Sequence, residues 1–180
     1  MSTTEIKFGG FGGQGVILAG IVIGRAASLT PDLFATLTQS FGPEARGSAC
    51  SAQVIISNEK VLYPYVTKPE ILLVMSQEAC NRFLPETTDS ATIIIEEDMV
   101  QPRGLKPDMK MFGIPATRLA EELGSKMTQN LVMVGFFTSV TKIVAYEAVR
   151  EAIIASVPKG TEAMNLKAYD RGYQYGLIKK

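Results

Sequence analysis

The spacing of apolar and polar residues changes period several times along this chain, and each change marks an element. "EIKFGG" reads as a short first strand. "GVILAGIVIGRAASL" is apolar on most sides and carries small residues at Ala19, Gly20, Gly24, Ala26 and Ala27. That pattern predicts a helix pressed closely on a sheet, where small residues let the backbones approach. "LFATLTQS" follows as a second strand opened by "TPD", giving a βαβ unit with a right-handed crossover. "SACSAQVIIS" and "KVLYPYV" flank the polar pair "NE" and predict an antiparallel hairpin. "EILLVMS" and "ATIIIEE" read as buried strands, with a helix over "QEACNRFLPE" between them. "MKMFGIP" is a further strand, and Pro115 opens a short helix, "ATRLAEELG", closed by Gly124.

From Thr128 onward the pattern is helical. "NLVMVGFFTSVTKIV" predicts a buried helix, and "AYEAVREAIIASV" an amphipathic one stopped by Pro158. "GTEAMNLKAYDRGYQYG" predicts a last helix with aromatic residues on one side. No repeat or linker divides the chain, so residues 1–180 are expected to form a single module. Strands lead and helices close. The fold class expected is α/β: a three-layer α/β/α, Rossmann-like domain with a mostly parallel sheet, made mixed by the hairpin, and a helical C-terminal third.

Composition narrows the chemistry. Hydrophobic residues are 46% and charged residues 20% of the 180, enough for a packed core. Lys plus Arg equals Asp plus Glu at 18 each, so no global field draws the chain to nucleic acid or to an anionic membrane. There is no histidine, which rules out Ser-His and Cys-His catalysis within this chain. Cys50 and Cys80 offer no metal or cluster spacing, and inert buried thiols are expected. No signal peptide and no spanning segment is expected, and the expected location is the cytoplasm.

Two stretches stand out. "FGGFGGQGVILAG" holds Gly10, Gly12 and Gly15 in G-x-G-x-x-G spacing between a strand and a helix. Glycine leaves no Cβ in the way, so backbone N–H groups can close on an anion at a helix N-terminus. A dinucleotide site also needs an acid at the tip of the second strand. Asp32 has roughly the right spacing but starts that strand, and its tip reads "TQS". No Lys-Ser or Lys-Thr follows the loop, so it is not a Walker A loop. Glycines serving helix–sheet packing alone are the competing reading. The second stretch, "QSFGPEARGSACS", sits at the carboxyl end of the second strand, where ligands bind in open α/β sheets. Gly42 and Pro43 force a turn there, and Glu44 and Arg46 bring opposite charges to it. Arg46 is read either as solvated or as the partner of a phosphate, a carboxylate or an acid of another chain.

Taken together, "GGFGGQG" and "QSFGPEARGSACSAQVIIS" resemble the gamma subunit of 2-oxoacid:ferredoxin oxidoreductases and the matching domain of single-chain pyruvate:ferredoxin oxidoreductases. The likeness runs on through "PEILLVMS", "TQNLVMVGF" and "NLKAYDRGYQYG". It implies a subunit without catalytic residues or metal ligands of its own. Sister alpha and beta chains, with a ferredoxin-like delta chain, would carry thiamine diphosphate and iron–sulfur clusters. The complex would convert a 2-oxoacid and coenzyme A to acyl-CoA and carbon dioxide, with electrons passing to ferredoxin. "GPEARG" resembles the 2-oxoglutarate branch, with pyruvate, branched-chain and arylpyruvate enzymes as alternatives. Ser48 stands where relatives often have a second glycine. The resemblance places Gly10, Gly12, Gly13, Gln14 and Gly15 in a loop facing the active-site cleft. It places Ser40, Gly42, Glu44, Arg46 and Gly47 in a second loop, where Arg46 meets substrate, cofactor or the thiamine-binding partner. A free-standing Rossmann-type nucleotide-binding oxidoreductase is the rival enzyme, and a structural interaction module is the other. Asn130 is expected as an N-cap. Tyr169, Tyr173 and Tyr175 are expected as packing, and a large subunit interface is expected overall.

Overall fold

The structure is a computed structural model describing residues 3–41 and 49–178. Its strands are β1 (Thr3–Phe11), β2 (Phe34–Ser40), β3 (Ala49–Ser57), β4 (Ile71–Val74), β5 (Thr92–Glu96) and β6 (Lys110–Ile114). Its helices are α1 (Val16–Ser28), α2 (Gln77–Phe83), α3 (Ala116–Glu122), α4 (Gln129–Thr141), α5 (Tyr146–Ile154) and α6 (Glu162–Ile178).

The strands form one sheet in the order β2-β3-β1-β4-β5-β6. β1, β4, β5 and β6 run parallel, while β3 is antiparallel to both β1 and β2. Side chains of a strand alternate between faces. Ile71, Leu73 and Ile94 therefore join one core with α1 and α4, while Leu72, Val74, Ile93 and Ile95 join a second with Ala79, Cys80 and Phe83 of α2. Burial on both faces is why β4 and β5 read as unbroken apolar runs. The helical C-terminal third covers the first face, and the three-layer, mixed α/β class holds.

Two expectations about connection are corrected. β3 does not turn back on "KVLYPYV". It forms its hairpin with β2, from Phe34↔Ser57 to Ser40↔Ser51, and no strand occurs in residues 58–70. Pro64 lacks the N–H that a strand there would need. The β1-α1-β2 unit is also split: β2 runs parallel to β1, but β3 lies between them. β3 can occupy that inner position because it is buried on both faces at every residue but Gln53.

α4 is buried from Asn130 to Ser139, with Phe137 packed 5.6 Å from Phe8 on the sheet. Its other side lies against α6 almost backbone to backbone. A Cβ on Gly172 would sit 1.9 Å from the Val132 carbonyl oxygen, and one on Gly135 would sit 2.0 Å from the Tyr169 oxygen. The C-terminal tyrosines pack as expected. Tyr169 is fully buried and stacks at 5.3 Å on Tyr146, which lies 4.6 Å from Tyr173, and Tyr175 meets Phe136 at 5.9 Å. The Tyr146 hydroxyl donates to Asp170 at 2.6 Å, and Arg150 donates to the same carboxylate at 2.6 Å. Cys50 and Cys80 are free and buried, and burial pushes both thiols up, away from the reactive thiolate. Gly124, at φ 91°, ends the turn after α3. Among the described residues, no helix is long and apolar enough to cross a membrane.

Glu96 closes β5 and is 1% exposed. One carboxylate oxygen accepts from the Thr117 N–H at 3.4 Å, and Oε2 has no partner among the described residues. Burial raises its pKa, while nearby backbone N–H groups pull it down. A folded-state pKa above the unfolded one means that stability falls as pH rises through that window, and the loss is complete above it. Glu96→Gln is expected to raise stability by about 1 kcal/mol at pH 8 and to change it little at pH 4. Paired thermal melts at the two pH values check this.

Candidate functional site

The glycine loop leaves the carboxyl end of β1 and enters α1. It turns on Gly13 at φ 93° and on Gly15 at φ 74°, both in the left-handed region open to glycine. The five residues carried over from the resemblance do different jobs. Gln14 is an internal brace. Its Oε1 accepts from the Phe11 N–H at 2.7 Å, and its Nε2 donates to the Met75 carbonyl at 3.0 Å, tying the end of β1 to the end of β4. Gly10 is bare because a Cβ would meet Gln14 Oε1 at 2.7 Å. Gly15 is bare because a Cβ would meet Asn130 Nδ2 at 2.4 Å. Gly12 is exposed on the turn. Among the described residues, nothing lies within 4 Å of the Cβ position of Gly13.

Packing therefore accounts for Gly10 and Gly15, and the left-handed backbone at φ 93° accounts for Gly13. That residue borders a cavity of about 440 Å³, walled by the glycine loop and by the segments leading into α4 and α6. Leu18, Met127, Met164 and Pro158 make its apolar wall, and Thr128, Asn130 and Asn165 give polar points. Among the described residues, no lysine or arginine lines it. α1 starts after Gly15 with no side-chain cap and no acid in its first turn, so its leading N–H groups carry the helix-dipole charge toward the loop. α4 has no side-chain cap either, but the Thr128 and Gln129 N–H groups already donate to the carbonyls of Ser125 and Lys126. α6 differs, because its own Glu162 accepts from the Gly160 N–H at 2.7 Å.

Asn130 is not the N-cap expected. It is the second residue of α4, 2% exposed, and its Nδ2 donates to the Gly15 carbonyl at 3.2 Å. This cross-link joins residues 115 apart in sequence, and no local pattern signals it. Asp32 stands before β2 at the edge opposite the glycine loop, roughly 20 Å or more away at about 3.3 Å per strand residue. It cannot serve a dinucleotide ribose at that loop.

The second loop opens at the same edge as the first. Ser40, exposed, is opposite Ser51, and the chain re-enters the sheet at Ala49, opposite Phe11. Gly42, Glu44, Arg46 and Gly47 lie outside the described residues.

Residues 5–175 match the pyruvate ferredoxin/flavodoxin oxidoreductase family. The 2-oxoglutarate synthase subunit KorC of Methanothermobacter thermautotrophicus is 47% identical over 174 residues, 93% of this chain and 92% of the relative. The keto/oxoacid ferredoxin oxidoreductase gamma subunit of Geobacter sulfurreducens superposes with a TM-score of 0.88 at 30% identity, covering 99% of this chain and 98% of that one. The 2-oxoglutarate:ferredoxin oxidoreductase of Magnetococcus marinus, solved with 2-oxoglutarate, coenzyme A and succinyl-CoA bound, shares the fold at TM-score 0.86 and 19% identity. The likeness covers 99% of this chain and 32% of that longer one. The chain belongs to the pyruvate ferredoxin/flavodoxin oxidoreductase family, as the gamma subunit of a 2-oxoacid:ferredoxin oxidoreductase.

Proposed function

We propose that this subunit serves a cytoplasmic complex that takes 2-oxoglutarate and coenzyme A to acyl-CoA and carbon dioxide, passing electrons to ferredoxin. The high identity to a 2-oxoglutarate synthase subunit supports that substrate over pyruvate, branched-chain 2-oxoacids and arylpyruvates. In this reading the chain acts as a single module beside alpha, beta and ferredoxin-like delta chains. Thiamine diphosphate and iron–sulfur clusters sit on those sisters, since two separate cysteines and no histidine cannot build a cluster site here.

The observation that carries the reading is Gly13, open on its Cβ side among the described residues, beside a cavity at the uncapped start of α1. Amides there would hold a diphosphate such as that of coenzyme A, and the apolar wall would shelter the rest of the ligand. This chain moves no proton. It binds and orients, while Gln14 and Asn130 keep the loop in place. Ser40, Gly42, Glu44, Arg46 and Gly47 supply the second side of the cleft, with Arg46 on an anionic group.

Anaerobic purification of the tagged chain with its partners, followed by coenzyme A-dependent dye reduction, tests this. Activity with 2-oxoglutarate and not with pyruvate is expected, and a preference for pyruvate would refute the substrate assignment. Gly13→Asn keeps a residue that tolerates positive φ and puts a side chain on the open side. It is expected to raise the apparent KM for coenzyme A at least tenfold in an intact complex. An unchanged KM would remove the loop from coenzyme A binding.

A further inference from the structure

We propose that a second hollow, on the opposite face of the sheet from the glycine-loop cavity, binds a small monocarboxylate with an apolar body, the carboxylate held by Arg103. It shares no residue with that cavity, so it stands whether or not coenzyme A binds there. The crossover from β5 to β6 contains no helix, and residues 97–109 run beside α2 instead. Two adjoining hollows open between the two. One, of about 360 Å³, has Cys80, Leu84, Pro85 and Met109 as its apolar wall. Cys80 and Leu84 belong to the second core, with Met109 packed on it, whereas Leu18 of the glycine-loop cavity packs on the first. The other hollow, of about 350 Å³, is lined by Gln77, Asn81 and Gln101. Arg103 lines both and stands where the apolar and the polar space meet.

The walls are fixed before any ligand arrives, which lowers the entropy lost on binding. Gln77 Oε1 accepts from the Gln101 N–H at 2.7 Å. Its Nε2 donates to Asn81 Oδ1 at 2.8 Å and to the Gln101 carbonyl at 3.3 Å. Val100, fully within the second core, anchors the same end of the loop. At the other end Lys106 Nζ donates to Asp89 at 2.7 Å, and the Met109 N–H donates to the Lys106 carbonyl at 3.1 Å. These bonds engage the acceptors and leave donors over. No Asp or Glu lines either hollow among the described residues. Arg103 has no ion pair or hydrogen bond among them either. A guanidinium is a planar fork of N–H donors, and a carboxylate matches it with two parallel bonds.

Charge selects the ligand class. Lys106 also lines the larger hollow, but Asp89 already neutralises it. Arg103 therefore offers a single uncompensated positive charge, and a monocarboxylate balances it. A phosphomonoester carries close to two negative charges at neutral pH and would leave one of them unpaired against an apolar wall. Leu84, Pro85 and Met109 suit a hydrocarbon chain or an aromatic ring behind the carboxylate. Cys80 adds to that surface as a small apolar group, since burial pushes its thiol up and away from the thiolate. A concave, mostly apolar space with a few convergent polar groups is the general form of a small-molecule site.

Titration of the full chain with octanoate, followed by NMR of the backbone amides, tests this. Saturable binding is expected, with shifts confined to residues 77–85 and 101–109. Acetate has the charge without the body and is expected to bind about thirtyfold more weakly or worse, the factor for two or three buried methylenes. Arg103→Gln alters an exposed side chain, so it is expected to melt like wild type while weakening octanoate about tenfold or more. Lys106→Gln is expected to weaken it by less than about threefold, because that charge already faces Asp89. Absence of saturation by about 10 mM octanoate overturns the proposal, as does binding that Arg103→Gln leaves unchanged. Shifts centred on the glycine loop overturn it too, and equal losses in the two variants overturn the single-cation assignment. Inorganic phosphate binding as tightly as octanoate overturns the carboxylate class.

Discussion

Gly172→Ala is expected to cost about 3 kcal/mol or more, lowering the melting temperature by about 6–12 °C in a domain of this size. The added Cβ would stand 1.9 Å from the Val132 carbonyl oxygen, well inside the 3.4 Å at which ordinary contact begins. A side chain in the way can change rotamer, but a backbone carbonyl in mid-helix cannot turn aside without breaking its own hydrogen bond. α4 cannot retreat either, since Phe137 already packs on Phe8. α6 must then lift away, uncovering the stacked pair Tyr169 and Tyr146. Gly104→Ala is the control. That glycine, unlike Gly172, has positive φ, at 82°, and among the described residues nothing lies within 4 Å of its Cβ position. Its expected cost is about 1 kcal/mol. Thermal denaturation followed by circular dichroism separates the two, and equal melting temperatures would show that the helix crossing tolerates a methyl group.

The second large effect is expected from Gln14→Glu, which changes one atom of the brace. The oxygen accepting from Phe11 stays, while the N–H donor to Met75 is replaced by a carboxylate oxygen facing a carbonyl oxygen. Near neutral pH the variant is expected to lose about 2–3 kcal/mol, because a charge replaces a donor and a carbonyl loses its partner. Protonation restores the donor. The introduced carboxyl therefore has a higher pKa in the folded state than in the unfolded one. Its penalty is absent below the unfolded value and grows as pH rises through the folded one. Melts from pH 4 to pH 8 should show the variant converging on wild type at the acid end. A constant deficit would mean that the amide N–H is not what holds β4.

The order of elements was legible because period and length both pointed the same way. Apolar runs of strand length gave β4 and β5, and small residues on an otherwise apolar helix gave α1. Connectivity was less legible. "KVLYPYV" has the aromatic and branched residues of a strand, and only Pro64 speaks against it. Its exposed rings belong to a taut loop held by Glu5, 62 residues away from Thr67. The insertion of β3 between β1 and β2 leaves little trace in either strand, because alternation records which face is buried and not which strand is adjacent. The glycine spacing located the loop correctly. Which glycines serve packing and which faces a cavity depends on Gln14, Asn130 and the helix starts of the C-terminal third, and these meet only once the chain has folded.

The position of β1 has a consequence for how the protein is made. The first strand of this fold to be synthesised becomes the middle of the sheet, and its two neighbours are β3 and β4. β4 ends at Val74. At about 5–20 residues per second, roughly 4–15 s of synthesis separate the first residue of β1 from the last of its partners. Ile6 and Phe8, fully buried in the finished protein, spend that interval without their sheet. α4, which completes the cover over Phe8, arrives later still. A nascent chain of this kind needs shelter early: a stall before β3 emerges leaves an apolar strand with both edges open, and one before β4 leaves one edge open.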